Sequence, residues 1–207
     1  MQTQVQRLRE VLELLKPVVP TKTTLPVLTN VLLKDSYATA CDLETRVDIA
    51  FPEAQDALLL PYRDVVALLK NIPGSTKLNI LSVREGKETK VSLLAGETMA
   101  SFKVPLEEDY PPRPKETKLQ GEFRISGDKL IKDLDELSTY AAREDSRTVL
   151  RAVGLFFGDA PDLVAADGFR LGVRSLGGSL KLEGVESVLI PLDAVPLLSH
   201  LWRKGIV

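Results

Sequence analysis

The chain has 207 residues, of which 44% are apolar and 27% charged, a composition typical of a globular protein with a hydrophobic core. A formal net charge of −2 excludes a uniformly basic nucleic-acid-binding protein, so any surface that faces DNA must be local. The single cysteine, Cys41, excludes an intrachain disulfide and favours a reducing, cytoplasmic location. No apolar run approaches the length of a membrane-spanning helix and no secretory signal opens the chain, so we expect no membrane partner.

Helical and strand periodicities alternate through the first half of the chain. The apolar residues from Val5 to Leu15 lie on one stripe, which predicts a helix that Pro17 ends. A second amphipathic helix is predicted to begin at Pro61 and to stop before Pro73. The predicted strands of this half are Val27–Leu33, Tyr37–Asp42, Thr45–Phe51, Leu58–Leu60, Lys77–Val83, Thr89–Leu94 and Met99–Val104.

The segment Pro105–Lys118 separates the two halves. It carries four prolines and seven charged residues, which is typical of a linker between domains. Beyond it, a helix is predicted from Asp128 to Ala141 and a last helix from near Pro191. The predicted strands of this half are Glu122–Ile125, Val149–Phe157, Leu163–Ala166, Phe169–Ser175 and Ser187–Ile190.

The second half repeats landmarks of the first in the same order. The helical leucines recur at a constant offset of 122, so that Leu8, Leu12 and Leu15 match Leu130, Leu134 and Leu137. Asp42 and Asp167 follow equivalent apolar runs and precede equivalent strands. We interpret this as a tandem duplication that predicts an α+β fold of repeated strand-helix-strands units, with helices on one face of antiparallel sheets. The expected domains are 1–118 and 119–207, the second incomplete at its C-terminus because no strands follow its last helix.

No combination of residues indicates catalysis, a cofactor or a metal. His200 is the only histidine, and no nucleophile, phosphate-binding glycine loop or metal-ligand cluster accompanies it. Asp42 and Asp167 lie in turns without a base or nucleophile nearby, which favours a structural role in those turns. The chain is therefore predicted not to be an enzyme.

Basic residues recur on or beside the helices and in the loops that follow them. Those considered for DNA binding are Arg9, Lys70, Lys132, Lys22, Arg143 and Arg147. Carboxylates are mixed with them, so a solvated helix face is the simpler interpretation. The alternative is a local surface for the DNA backbone, which gains slight support because Lys22, Arg143 and Arg147 fall in equivalent loops of the two halves.

Several stretches together match the pattern of a known family. In the first half they are LPVLTNVLL, TACDLE, LLLP with VVALLKNIPG, and SFKVPLEEDYP. In the second half they are RTVLRAVGL, VAADGFRLGVR and VLIPLDAV. These stretches resemble the bacterial DNA polymerase III beta subunit, the sliding clamp. The resemblance covers nearly the whole chain and implies the DNA clamp fold, with the first domain and most of the central domain present and the third domain absent.

The resemblance also implies functions for particular residues. Lys22 falls where the family contacts DNA, and Phe102 and Val104 match an edge strand at the family's subunit interface. The family's pocket for short peptide motifs of polymerases and clamp loader subunits corresponds to Leu150, Ala166, Gly168, Phe169, Arg170 and Leu171. A pocket of this kind requires Phe169 and Leu171 to lie on one strand face.

The resemblance leaves two functions open. One is a processivity clamp, part of a ring-forming homo-oligomer that encircles duplex DNA and tethers the replicative polymerase. The other is a clamp-like interaction module that binds clamp partners or clamp subunits without encircling DNA.

Overall fold

The computed structural model describes residues 1–114, 125–178, 180 and 184–205, and the chain divides into two compact units, Met1–Pro114 and Lys115–Val207. The strand predicted from Glu122 lies almost entirely outside the described residues, as do the last residues of the predicted linker. Among the helices of the described part, none combines the length and the apolar character needed to span a membrane.

The first unit contains two four-stranded antiparallel sheets and two helices. Its elements are β1 (Gln2–Gln4), α1 (Val5–Leu15), β2 (Asn30–Lys34), β3 (Tyr37–Cys41), β4 (Arg46–Ala50), β5 (Leu58–Pro61), α2 (Tyr62–Leu69), β6 (Lys77–Glu85), β7 (Glu88–Ala95) and β8 (Thr98–Val104). One sheet has the strand order β4-β3-β2-β5 and the other β1-β6-β7-β8. Each helix therefore follows a short strand and leads toward the other sheet.

Helix α1 is buried along the stripe that the sequence predicts, with Leu8 and Leu15 wholly inaccessible to solvent. Its first turn has no side-chain cap. Instead, the amide of Val5 donates to the carbonyl of Thr76 at 3.0 Å and the amide of Gln6 to that of Gly74 at 2.9 Å. A distant loop thus satisfies donors that a helix start otherwise leaves unpaired.

The second unit repeats the first half of the first. Its elements are α3 (Gly127–Leu137), β9 (Ala152–Phe156), β10 (Asp162–Ala166), β11 (Leu171–Ser175), β12 (Ser187–Pro191) and α4 (Ala194–Arg203). The strand order β11-β10-β9-β12 reproduces β4-β3-β2-β5, with β9 to β12 corresponding in chain order to β2 to β5. Leu134 and Leu137 are buried in the core, against which Leu130 packs with part of its side chain exposed. The predicted α+β class, with helices and antiparallel sheets in repeated units, is confirmed.

Three predicted boundaries are wrong because short 3-10 helices occupy strand or helix ends. Pro26–Thr29 forms a 3-10 turn, and the strand starts only at Asn30. Pro26 has no backbone N–H to donate to a sheet, while the hydroxyl of Thr29 and the side-chain Nδ2 of Asn30 both donate to its carbonyl. A 3-10 segment over Asp145–Leu150 likewise delays β9, and another over Ser138–Tyr140 ends α3 early.

Candidate functional site

The turn between β10 and β11 is closed by the side chain of Asp167. Its Oδ1 accepts hydrogen bonds from the backbone amides of Phe169 at 2.9 Å and Arg170 at 2.8 Å. The amide of Asp167 donates to the carbonyl of Arg170 at 3.2 Å. Gly168 has φ +90°, which few other residues adopt at low cost. The turn is therefore four residues long, and the prediction that Phe169 begins a strand is wrong.

The first unit has the same turn at Asp42. Its Oδ1 accepts from the amides of Glu44 at 3.0 Å and Thr45 at 2.6 Å, and its amide donates to the carbonyl of Thr45 at 3.1 Å. Both aspartate side chains thus accept hydrogen bonds from backbone amides, as turn-forming aspartates do. The predicted turn role is confirmed.

Arg170 holds the Asp167 turn from its other end. Its Nε and Nη2 donate to Asp167 Oδ2 at 2.9 and 2.7 Å, and Nη2 also donates to the carbonyl of Thr139 at 3.3 Å. The guanidinium lies 5.7 Å from the ring centre of Tyr140. Hydrogen bonds from the Phe169 amide, the Arg170 side chain and the Arg170 amide lower the pKa of Asp167 to about 2. The carboxylate is therefore ionised at neutral pH.

Arg147 belongs to this turn as well, although its sequence position suggested a basic loop. Its Nη1 donates to the carbonyl of Asp167 at 2.9 Å. A Cβ added at Gly168 would lie 2.6 Å from the same nitrogen, so a larger residue there would displace the guanidinium. The repeat could not predict this contact, because the residue equivalent to Arg147 in the first unit is Leu25, which cannot form it.

Apolar side chains surround the turn and are exposed. Phe169 in the turn has 91% of its surface accessible, and Leu171, the first residue of β11, has 65%. Half-buried Ala166 pairs with Leu171 in the sheet, and half-buried Leu150 ends the 3-10 segment that carries Arg147. The six predicted pocket residues thus lie in the turn, in the two strands that it joins, and at the end of that segment.

Two further exposed apolar residues were missed. Val173 follows Leu171 by two positions on β11, so both point to the same face, while Gly172 between them packs against Leu137 and Tyr140. The alternation of Leu171 and Val173 was the signal that could have found it. Val149 is exposed in the 3-10 segment, which the sequence pattern treated as strand.

The predicted DNA-binding residues of the first unit lie near a groove between α1 and α2. Arg9 and Lys70 line this groove, which has a volume of about 570 Å³, and Lys22 is exposed in the loop that follows α1. Arg9 uses its guanidinium internally, donating to the carbonyls of Leu69 and Ile72 at the end of α2. Lys70 and Lys22 are therefore the freer cations of this set.

The predicted DNA-binding residues of the second unit have different surroundings. Lys132 is exposed on α3, and Arg143 is exposed in the loop beyond that helix. Helix α3 also carries four carboxylates, namely Asp128, Asp133, Asp135 and Glu136. Helices α3 and α4 of the second unit are consequently less cationic than α1 and α2 of the first.

The two predicted interface residues lie on β8, at the edge of the sheet β1-β6-β7-β8. Val104 is only 2% exposed and Phe102 is half-buried, so both side chains contribute to the core of their own unit. A partner at this edge would meet the backbone of β8 more than these side chains.

Groups of three or more potential metal-ligating side chains are absent from the described part of the chain. No protein-family model matches the sequence. Among curated proteins, the beta sliding clamp of Pseudomonas aeruginosa is 28% identical over 202 residues, 93% of this chain. That alignment covers 54% of the clamp, so the chain spans about half the length of the curated relatives it matches.

Solved structures agree with the sequence comparison. The DNA polymerase III beta subunit from Pseudomonas aeruginosa superposes with a TM-score of 0.79 at 26% identity, covering 97% of this chain and 56% of that one. A DNA polymerase III beta subunit structure from Eubacterium rectale gives a TM-score of 0.83 at 15% identity, over 97% of this chain and 55% of that one, and supports the fold alone. The chain therefore has the DNA clamp fold and resembles bacterial beta sliding clamps over nearly its whole length.

Proposed function

We propose that the chain is a non-catalytic sliding clamp subunit that contributes to a ring around duplex DNA and tethers the replicative polymerase. Its two domains, 1–118 and 119–207, would correspond to the first and central domains of a clamp. The observation that carries the proposal is the exposed Phe169 and Leu171, held at a hydrogen-bonded turn on a clamp fold. A tether needs such a fixed apolar site for a partner peptide.

The peptide site is supported by the rigidity of its frame. Asp167 closes the turn with backbone hydrogen bonds, Arg170 pairs with its carboxylate, and Arg147 holds its carbonyl. Because the backbone that carries Phe169 and Leu171 is already ordered by these bonds, less conformational entropy is lost when a partner covers the two side chains. Covering Phe169 and Leu171 fully would contribute about 1.5–3 kcal/mol for each side chain.

DNA binding would depend on α1, α2 and the loop that follows α1. Lys70 and Lys22 can reach phosphates without losing an internal ion pair, since none joins either lysine to another described residue. So few cations predict weak, non-specific and salt-dependent binding, with a Kd of about 10⁻⁴–10⁻⁶ M at physiological salt. Weak contacts to the backbone also suit a protein that slides, because they give no sequence-dependent stopping points.

The second candidate is a clamp-like interaction module that binds clamp partners or clamp subunits without encircling DNA. The four carboxylates of α3 favour it, because they lower the positive potential on one of the two helix pairs. A module of this kind would retain the peptide site and the β8 edge. It would bind duplex DNA negligibly.

Two titrations test these functions together. The first uses a labelled short hydrophobic clamp-binding peptide against the wild type and a Phe169→Ala, Leu171→Ala double variant, with Val83→Ala, another exposed apolar position, as control. The second uses non-specific duplex DNA over a range of salt concentrations. Peptide and DNA binding together support the clamp, and peptide binding alone supports the module. Equal peptide binding by the double variant would refute the assigned site.

A further inference from the structure

The groove between α1 and α2 has an apolar floor. Val66 and Ala67 are exposed on α2, and Leu12 and Tyr62 complete the floor. Burial raises the pKa of Tyr62, and the nearby carboxylate of Glu13 raises it further, so the phenol is neutral at physiological pH. Val66 remains 38% exposed although its neighbours Val65 and Leu69 are wholly buried. The floor therefore offers apolar surface that this unit leaves open to water.

The rim of the same groove is positively charged. Four cationic residues line it, against the single carboxylate of Glu13, in a chain whose formal net charge is −2. Arg9 is bound to carbonyls of α2, and Arg63 donates to the carbonyl of Thr21 at 3.0 Å. Lys16 and Lys70 are exposed and form no ion pair with any other residue that the structure describes.

Lys16 and Lys70 thus stand at an apolar floor with their charge unneutralised. A phosphate backbone would satisfy these charges but would leave Val66 and Ala67 against water, since phosphates and sugars offer them little apolar contact. An amphipathic segment with carboxylates beside apolar side chains satisfies both features at once. Such a segment in helical form presents apolar residues at i, i+3, i+4 and i+7, which is the usual way of occupying a groove between two helices.

We propose that this groove binds an acidic amphipathic helix of a partner protein. Apolar side chains of that helix pack on Val66 and Ala67, and its carboxylates pair with Lys16 and Lys70. The site is separate from the peptide pocket of the second unit and does not depend on it. Because Lys70 is also a candidate contact for duplex DNA, the acidic helix and the duplex compete, and the partner excludes DNA from the first unit.

The probe is a synthetic helix-forming peptide of about 14 residues with leucines on one face, glutamates beside them and alanines elsewhere, titrated against the full chain by fluorescence anisotropy. Val66→Gln removes apolar contact without changing charge, and Ala67→Gln is a second variant of the same kind. Lys70→Gln removes a rim charge. Val83→Gln, on an exposed strand of the same unit, is the matched control. Circular dichroism confirms that each variant is folded.

We expect Val66→Gln and Ala67→Gln each to weaken peptide binding about tenfold while leaving duplex DNA binding unchanged, since phosphates do not use the floor. Lys70→Gln weakens both, and the duplex displaces the peptide. Failure of the wild type to bind the peptide, or equal binding by the folded floor variants and the wild type, would overturn the proposal. A parallel loss of DNA binding in Val66→Gln would also overturn it, because the floor would then belong to the DNA surface. These readouts are independent of whether the chain forms a ring.

Discussion

Asp42 and Asp167 close the same turn in the two units, each by accepting hydrogen bonds from the amides two and three residues later. The match includes the backbone, since each aspartate amide donates to the carbonyl three residues on. The two turns differ in what surrounds them. Only the carboxylate of Asp167 is also bound by an arginine side chain, Arg170, and that turn carries the exposed Phe169.

Asp167 is expected to titrate with a pKa of about 2, below its ordinary value of 3.8. Because the pKa is depressed in the folded state, the stabilisation is present above pH 3.8 and is lost as the pH falls toward 2. Arg170→Gln should raise this pKa, since one of the hydrogen-bond donors is removed. Carboxyl carbon chemical shifts measured by NMR against pH check both values. An unchanged pKa in the variant would contradict the assigned cause.

Tyr110 is expected to stay protonated in the folded protein well above pH 10. Burial is the main cause of its raised pKa, and the phenol donates to the carbonyl of Thr39 at 3.4 Å. A raised pKa in the folded state means that this stability is present below pH 10 and is lost as the pH rises further. Ultraviolet difference spectra should show one of the four tyrosines ionising only as the protein unfolds. Tyr110→Phe should abolish that phase, and its persistence would contradict the assignment.

Arg9 is predicted to stabilise the first unit rather than to bind DNA. Its guanidinium satisfies the carbonyls of Leu69 and Ile72, so Arg9→Met should lower the free energy of unfolding by about 1.5–3 kcal/mol. Lys16→Met, about two helical turns further along at the C-cap of α1, should change it by less than about 0.5 kcal/mol. Urea unfolding followed by circular dichroism measures both. A larger effect for Lys16 would reverse the roles assigned here.

Gly127 is predicted to be required by Trp202. A Cβ at Gly127 would lie 2.1 Å from the indole ring, whose Nε1 donates to Asp128 Oδ1 at 2.8 Å. Gly127→Ala should displace the ring and shift the emission of the single tryptophan to longer wavelength. The lost hydrogen bond should cost about 1 kcal/mol.

The control for Gly127 is the same substitution in a Trp202→Ala background. Without the ring, alanine should be neutral or slightly stabilising at this position, because glycine is the poorer helix former. A destabilisation of equal size in both backgrounds would show that the ring is not the cause. Denaturant unfolding of the four proteins supplies the comparison.

The sequence alone predicts the helices and the repeat because the leucine stripes of α1 and α3 are strongly periodic. It fails at Phe169, where Asp167-Gly168 suggested a two-residue turn. The first unit shows the same failure, since the predicted strands Tyr37–Asp42 and Thr45–Phe51 leave only two residues between them, whereas Asp42-Leu43-Glu44-Thr45 is a four-residue turn closed by an aspartate without glycine. The contact of Arg147 with Asp167 could not be predicted, because twenty residues separate them and periodicity carries no information on such contacts.

The loop containing Gly74 and Thr76, whose carbonyls accept from the first amides of α1, also bears on when the first unit can fold. The amides of Val5 and Gln6 can form their hydrogen bonds only once the carbonyls of Thr76 and Gly74 are present, and β1 can pair only once β6 has been made. On the ribosome, the start of α1 and β1 therefore emerge long before their backbone partners. Closure of this long segment, rather than helix formation, should limit the folding rate. A nascent chain arrested before Thr76 would consequently lack the carbonyl that accepts from the Val5 amide and the strand that pairs with β1.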